Sequence, residues 1–532
     1  MPQDELIQAM RQARFYPNES SVEFLQTHIS CLFLTAEHVY KLKKPLNLGF
    51  LDFSTLEKRR FYCHEEVRLN SRLAPSVYLG VLAVSRNPNG EFFLGQDPAS
   101  EIVDYVVHMR RLSEDSMFPA LLKQGRVDEE MLSDLAGLLS DFHAHAPAVQ
   151  ASSELGSPQL IRSNIEENFE QTEMLKDKAL SAKRHRIMRS ALLWTLRRYQ
   201  KLLTARHDQE GRTRECHGDL RMEHICRFEE SLVAFDCIEF NERFRYIDTA
   251  ADMGFLLMDM EFNGHWSLAA TLLQAYIRAT QDHDALTVMP LYKAYYALTR
   301  GKVFGIESTE QEFTPQERQE ALDMASKFLD LSWSYAIQLQ TPTLILFSGL
   351  MGTGKTALGR YLSQELGAEL VRSDVVRKTL HGLDPQAREA SDYGQGLYTQ
   401  KATQDTYQAL AKQAAQKLNN GQSVMLDASF SRRTYRRQAY DVAQSMGVRF
   451  ILVECVCPEE IIRKRLEHRQ ARESDASDGR NTLFEAQKAD FEPINELDSH
   501  QHVIINTADA MEKLGETAVE TVLEALCWQE GY

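Results

Sequence analysis

Between residues 349 and 356 the chain reads GLMGTGKT, a GxxxxGK[ST] spacing set between an apolar run, TLILFSG, and helical text. Those residue types handle phosphate. In the loop formed by Gly349, Gly352, Thr353 and Gly354, the glycines let backbone N–H groups curl around phosphate oxygens at a helix N-terminus. Lys355 brings a point charge to the outer phosphates, and the Thr356 hydroxyl can ligate Mg²⁺. Further on, VRSDVVRK puts Asp374 at the carboxyl end of a second apolar run, where open α/β sheets bind their ligands. A carboxylate there can take the proton of an attacking hydroxyl; the same aspartate is also suited to capping the following helix. A third run, SVMLDAS, ends in Asp427, an acidic residue for the outer sphere of Mg²⁺, and no glutamate follows it to polarise water. That absence favours transfer to an acceptor over hydrolysis.

Arg463, Arg465 and Arg469 lie along a later helical segment that continues into QARESDASDGRN with Arg472 and Arg480. This reads as a lid whose arginines reach a transferring phosphoryl group and exclude water, or as a solvated basic face. A second cluster, SRRTYRRQ with Arg432, Arg433, Arg436 and Arg437, can hold an anion or simply be surface. Nearer the start, CHGDLRMEHIC centres on Asp219, and LVAFDCIEF places Asp236 17 residues downstream after an apolar strand. Two carboxylates on adjacent strand ends suit Mg²⁺-assisted phosphoryl transfer, one orienting a hydroxyl and one holding metal.

Two blocks of text must position these residues. The first opens with strand-like HISCLFLTAEHVYKLKKP, in which Val39, Lys41 and Lys43 share one face, continues through a helix from about Leu56, and adds strands in VYLGVLAV, EFFLG and EIVDYVVHMRRL. After Arg111 it is mostly helical. The expected arrangement is a sheet lobe over about 1–112 and a helical lobe over about 113–335. A polar stretch, 336–342, reads as a linker. The second block, 343–532, alternates five short apolar strands with helices, which predicts a doubly wound parallel sheet.

At 532 residues the chain exceeds one core, and 43% hydrophobic with 26% charged residues suits globular domains. A net charge of −16 argues against coating nucleic acid or anionic membrane through the overall field. The opening residues carry acids and amides where a signal peptide needs an apolar core, and no run reaches a membrane span, so the expected location is the cytoplasm. Eight cysteines without a CxxC pair read as thiols rather than a zinc site, and His143 and His145, at the end of a helical stretch, as packing or surface residues.

GLMGTGKT, RSDVVR, VMLDAS and RKRLEHR together resemble the AAA-type predicted-kinase family related to polynucleotide 5′-kinases, over about 343 to 532. That resemblance implies Asp374 as general base, Arg377 as a contact to a substrate phosphate, and Arg463 or Arg465 as the lid arginine. It extends to small-molecule kinases and leaves the acceptor open between a small molecule and a nucleic-acid end. The HGD and later aspartate of the first block resemble the aminoglycoside phosphotransferase group of the protein-kinase-like fold, over about 30 to 335. It implies that Lys41 pairs the phosphates of ATP, Glu66 holds that lysine, Asp219 is the base and Asp236 binds Mg²⁺. Lys43 and Glu65 are alternative choices for the pair. Asp248 and Asp252 fall to structural roles. Two departures stand out: His224 occupies the metal-binding asparagine position, and the loop LTAEHV has no glycine. The expectation is ATP and Mg²⁺ at one or two sites, with phosphoryl transfer to a hydroxyl. The alternatives are a nucleic-acid 5′-kinase and a regulatory module with a pseudokinase first domain.

Overall fold

The computed structural model describes residues 3–49, 51–338, 341–384, 397, 399–470 and 481–528. It divides into two compact units: Met1–Ala179 with Thr195–Ser332, and Leu180–Trp194 with Trp333–Tyr532.

In the first unit, six antiparallel strands form a sheet in the order β1-β2-β3-β6-β4-β5. They are β1 (Glu23–Gln26), β2 (Ser30–Leu34), β3 (His38–Lys43), β4 (Tyr78–Arg86), β5 (Phe92–Leu94) and β6 (Glu101–Arg110). β3 shows how sequence sets the site. Tyr40 and Leu42 point into an apolar cluster with Phe33, Val84 and Val106. Period-2 alternation turns Lys41 and Lys43 to the opposite face, where both are buried and therefore must be paired. The partner element is the Leu56–Asn70 helix, whose N-cap Thr55 accepts from the Lys58 N–H. Beyond β6 the unit is helical, with two small antiparallel two-stranded sheets: β7 (Thr213–Glu215) against β10 (Tyr246–Asp248), and the hairpin of β8 (Ile225–Phe228) and β9 (Ser231–Ala234). The Thr249–Phe262 helix runs through its centre with almost every residue buried. This is the bilobal protein-kinase-like arrangement expected from the sequence.

The second unit is a five-stranded parallel sheet, ordered β12-β13-β11-β14-β15, with β11 (Thr343–Ser348) central between β13 (Val424–Asp427) and β14 (Arg449–Val456), and with β12 (Glu369–Arg372) and β15 (His502–Asn506) outside. All four pairings are parallel, with Phe347 and Arg372 both opposite Asp427, so the strands that feed the phosphate loop end level with one another. Near-continuous burial of β11, TLILFS, is what a sheet covered on both faces requires.

One segment differs from the expected division at 336–342. The sequence reading placed everything before 335 in the first domain, yet Leu180–Trp194 packs within the second unit. Charge explains it: Arg184 lies 3.3 Å from Glu516 and 3.4 Å from Glu365, and Arg186 lies 2.8 Å from Glu520. The Arg184 guanidinium also stacks over Trp333, whose indole N–H donates to Glu365. Among the described residues, no helix is long and apolar enough to cross a membrane.

Candidate phosphoryl-transfer sites

In the second unit, the turn after β11 brings Gly349 against β14: a Cβ there would lie 2.4 Å from the Cys455 carbonyl oxygen. Gly354, at φ +86°, is the N-cap of the Lys355–Leu366 helix, a left-handed conformation that glycine adopts without strain. The Lys355 ammonium curls back to donate to the Gly349 and Leu350 carbonyls at 2.9 and 2.8 Å, inside the loop that would surround phosphate. The Thr356 hydroxyl donates to Asp427 at 2.6 Å. Asp427 is buried, and burial pushes its carboxyl above the ordinary value despite Lys355 and the bond from Thr356. A buried carboxylate strained in this way beside a hydroxyl is a hard-oxygen donor set that fits Mg²⁺.

Asp374 sits in the first turn of the Ser373–Leu380 helix, near enough to Asp427 to help raise its pKa. The N-cap of that helix is Arg372, and no side chain caps it, so the capping role weighed for Asp374 is not the one it fills. Arg377 reaches back to Asp374 at 3.3 Å. The two lid candidates separate. Arg463 points outward to pair with Glu459 and Glu485. Arg465 donates to the Thr507 carbonyl at 2.7 Å, with a guanidinium nitrogen 3.4 Å from where a Cβ on Gly354 would be. It therefore lines, with Gly352, Thr507 and Met511, a cavity of about 410 Å³ beside the loop. The lid residues Arg472 and Arg480, and the side chain of Arg469, lie outside the described residues. Arg436 does not face the site; it is buried against Glu496 and the carbonyls of Phe430, Glu492 and Pro493.

In the first unit, Lys41 lies 2.8 Å from Glu66 and 2.7 Å from Asp236. Lys43, the alternative choice, is fully buried between Glu66, at 2.5 Å, and Glu239. Glu66 thus serves both lysines, one oxygen each, and Lys43 braces it from behind. Desolvation works against the charge on Asp236, but Lys41 and His224 outweigh it and hold the carboxyl well below the ordinary range. Its φ of +65° is a strained backbone geometry that aims the side chain at Lys41.

Asp219 is held by Arg221 through two bonds of 2.9 Å. The His224 Nδ1 lies 2.8 Å from the Asp219 carbonyl oxygen. A carbonyl only accepts, so Nδ1 carries a proton, and Nε2 lies 3.7 Å from Asp236. His224 thus lies between Asp219 and Asp236, and a hard cation prefers the oxygens of Asp236 to a ring nitrogen. The loop itself hangs on Asp252, fully buried in the central helix, whose two oxygens accept from the His217 and Gly218 N–H groups at 3.0 and 2.9 Å. His143 completes that cluster, bonding Asp252 at 3.1 Å and the Tyr276 hydroxyl at 2.7 Å, which makes it the packing histidine expected. Asp248 caps the same helix and pairs with buried Arg206.

Sequence reasoning missed Arg221 and Glu239 as members of this site. Both stand within three residues of a flagged aspartate, in HGDLR and DCIE, and that proximity was the available signal.

The lobes and sites define a chain that joins a protein-kinase-like unit to a P-loop kinase unit. An AAA domain family matches residues 344–494. The chain is 27% identical over 482 residues to uncharacterized proteins of Mycobacterium tuberculosis and Mycobacterium bovis, covering 91% of this chain and 93% of theirs. Among solved structures, a gluconokinase from Sinorhizobium meliloti 1021 is similar over 36% of this chain and 99% of its own, at 16% identity and a TM-score of 0.26. A choline/ethanolamine kinase family protein from Mesorhizobium loti is similar over 62% of this chain and 99% of its own, at 15% identity and a TM-score of 0.36.

Proposed function

We propose that the protein is an ATP- and Mg²⁺-dependent phosphotransferase that moves the γ-phosphoryl group of ATP to a hydroxyl, with the P-loop unit as its principal catalyst. The observation that carries this is the phosphate loop with Lys355 folded into it and Thr356 bonded to Asp427 at 2.6 Å. Asp374, across the sheet crevice from that loop, takes the hydroxyl proton as the acceptor oxygen attacks phosphorus and ADP leaves. Arg377 orients Asp374 or a substrate phosphate, and Arg465 closes the nucleotide side. Bound Mg²⁺ would neutralise charge on the phosphates, held from Thr356 and Asp427.

The first unit follows the same plan with Lys41 on the nucleotide phosphates, Glu66 and Lys43 fixing that lysine, Asp219 as base and Asp236 as the metal residue. A second reading, a nucleotide-binding regulatory unit with slow or absent transfer, is favoured by His224 in place of an oxygen ligand and by the Lys41 ammonium resting 2.7 Å from the metal aspartate. Labelled-ATP transfer by the full chain, screened against small-molecule hydroxyls and 5′-hydroxyl oligonucleotides, tests both. Transfer lost in Lys355→Ala and kept in Asp219→Asn supports the leading reading. Transfer lost only in Asp219→Asn moves catalysis to the first unit, and ATP binding without transfer to any acceptor favours the regulatory one. A strong oligonucleotide preference with steep salt dependence would identify a nucleic-acid end as the acceptor.

A further inference from the structure

The first unit contains a cavity of about 660 Å³ that opens beside Gly218 and Asp219 and is not used by any residue assigned above to nucleotide. One wall is the Ala285–Glu307 helix, which presents Tyr292, Tyr295 and Tyr296; Phe255 and Ile161 add apolar surface from neighbouring helices. A largely apolar, aromatic concavity with a few placed polar groups is what a small organic ligand fills. Its position at the catalytic aspartate makes it the acceptor side of the first unit, so the inference rests on the phosphotransferase reading given above.

Not every charged group in that cavity has an ion-pair partner. Glu167 is paired with Arg243, Asp248 with Arg206 and Asp219 with Arg221, while Glu310 lies 3.4 Å from His28. Burial pushes the Glu307 carboxyl up, against the opposing pull of His28 and Arg300. Two cations remain without a carboxylate at ion-pair distance among the described residues. Lys302 donates only to the amide oxygen of Asn168, at 2.8 Å. Arg300, half-buried near Asp219, rests its guanidinium over the rings of Phe304 and Phe328 at 4.8 and 5.7 Å. Burial and the neighbouring Arg221 oppose its charge more than Asp219, Glu223 and Asp259, all beyond ion-pair distance, support it. An unpaired cation in an apolar site costs free energy that a bound anion would recover.

We propose that this cavity binds a hydroxyl-bearing acceptor with an apolar or aromatic body and an anionic group, a carboxylate or phosphate, recognised by Arg300 with Lys302 adding to the field. The reaction balances simply: the acceptor oxygen bonds to the γ-phosphorus, the bond to the ADP oxygen breaks, and the proton passes to Asp219. A cationic acceptor would meet two like charges instead.

A matched pair of probes tests this on the full chain: para-(hydroxymethyl)benzoate and para-(hydroxymethyl)benzylamine share body and hydroxyl and differ in charge. Calorimetric titration should show the benzoate binding at least about tenfold more tightly than the amine, with that preference lost in Arg300→Gln and largely kept in Arg300→Lys. Equal or tighter binding of the amine, unchanged benzoate affinity in Arg300→Gln, or no binding of either probe at millimolar concentration overturns the proposal. The phosphotransferase reading fails separately. Benzoate binding without any Asp219-dependent transfer from labelled ATP sinks that reading of the first unit and leaves the pocket standing. Asp219-dependent transfer to an amine acceptor does the reverse.

Discussion

Asp252→Asn isolates the contact that holds the His217–Asp219 loop of the first unit, and its effect can be read without knowing the acceptor. Asp252 is fully buried and accepts from the His217 and Gly218 N–H groups while bonding His143. An asparagine of the same shape keeps one oxygen acceptor but turns an NH₂ group toward the other donor. The loop therefore loses one charge-assisted hydrogen bond and leaves one buried N–H without an acceptor, a loss of about 2–3 kcal/mol. If the loop opens locally, that loss converts to a roughly 30- to 150-fold faster exchange at these amides, since each ~1.4 kcal/mol is a factor of ten. Hydrogen–deuterium exchange with fragment resolution across Cys216–Leu220 measures it. Exchange along β11 in the second unit, around Leu346, serves as the internal control and should not change. Any Asp219-dependent transfer should fall together with protection, because the same loop carries Asp219, the proposed base. Unchanged protection at His217 and Gly218 would refute the reasoning, since it would mean that the loop is held by contacts other than Asp252.

Asp374→Asn should lower turnover of the second unit by at least about 10²-fold while ATP affinity and thermal stability change little; a variant that keeps most of its turnover with a confirmed acceptor would assign the base elsewhere. Arg465→Gln should weaken ATP binding measured by titration, whereas Arg463→Gln, whose side chain pairs outward with Glu459 and Glu485, should leave it nearly unchanged; the opposite ranking would reverse the two assignments. Acid should destabilise the first unit. Burial works against the charges on Asp219 and Asp252, yet Arg221 and His143 respectively hold both carboxyls below the ordinary 3.8. Because the folded values lie below the unfolded ones, this stabilisation is complete above 3.8 and is lost as pH falls from there through the folded values. Urea unfolding followed at descending pH should show the loss, and Arg221→Gln should reduce its pH dependence.

The parallel sheet of the second unit was legible in the sequence because each strand is a short apolar run between helices, and such runs have few alternatives to burial on both faces. The phosphate loop was legible because its glycines answer a local demand: Gly354 must adopt positive φ, and Gly349 must pass close to the Cys455 carbonyl. The Lys41, Glu66, Asp219 and Asp236 set rested on resemblance, and its lysine choice was ambiguous because Lys41 and Lys43 share a strand face. Only the fold separated them, by placing Lys43 between Glu66 and Glu239 and leaving Lys41 to reach Asp236.

What the sequence determined by itself is therefore local: periodicity, turn chemistry, and the residue types that can meet phosphate or a proton. What the tertiary structure decided is which charges meet. Arg463 and Arg465 are two residues apart on one helix, and the helical turn of about 100° per residue sends the first to surface glutamates and the second to the phosphate loop. The segment Leu180–Trp194 reads as one more helix of the helical lobe, but the acids that its arginines pair with, Glu365, Glu516 and Glu520, lie more than 170 residues further along the chain, as the 181-residue separation of Arg184 and Glu365 shows. Arg300 carries no motif at all. It is an ordinary arginine in helical text until the fold sets it near Asp219, in a cavity where no carboxylate among the described residues lies at ion-pair distance from it. Pairing across such distances depends on how separate elements pack, and no local pattern encodes it.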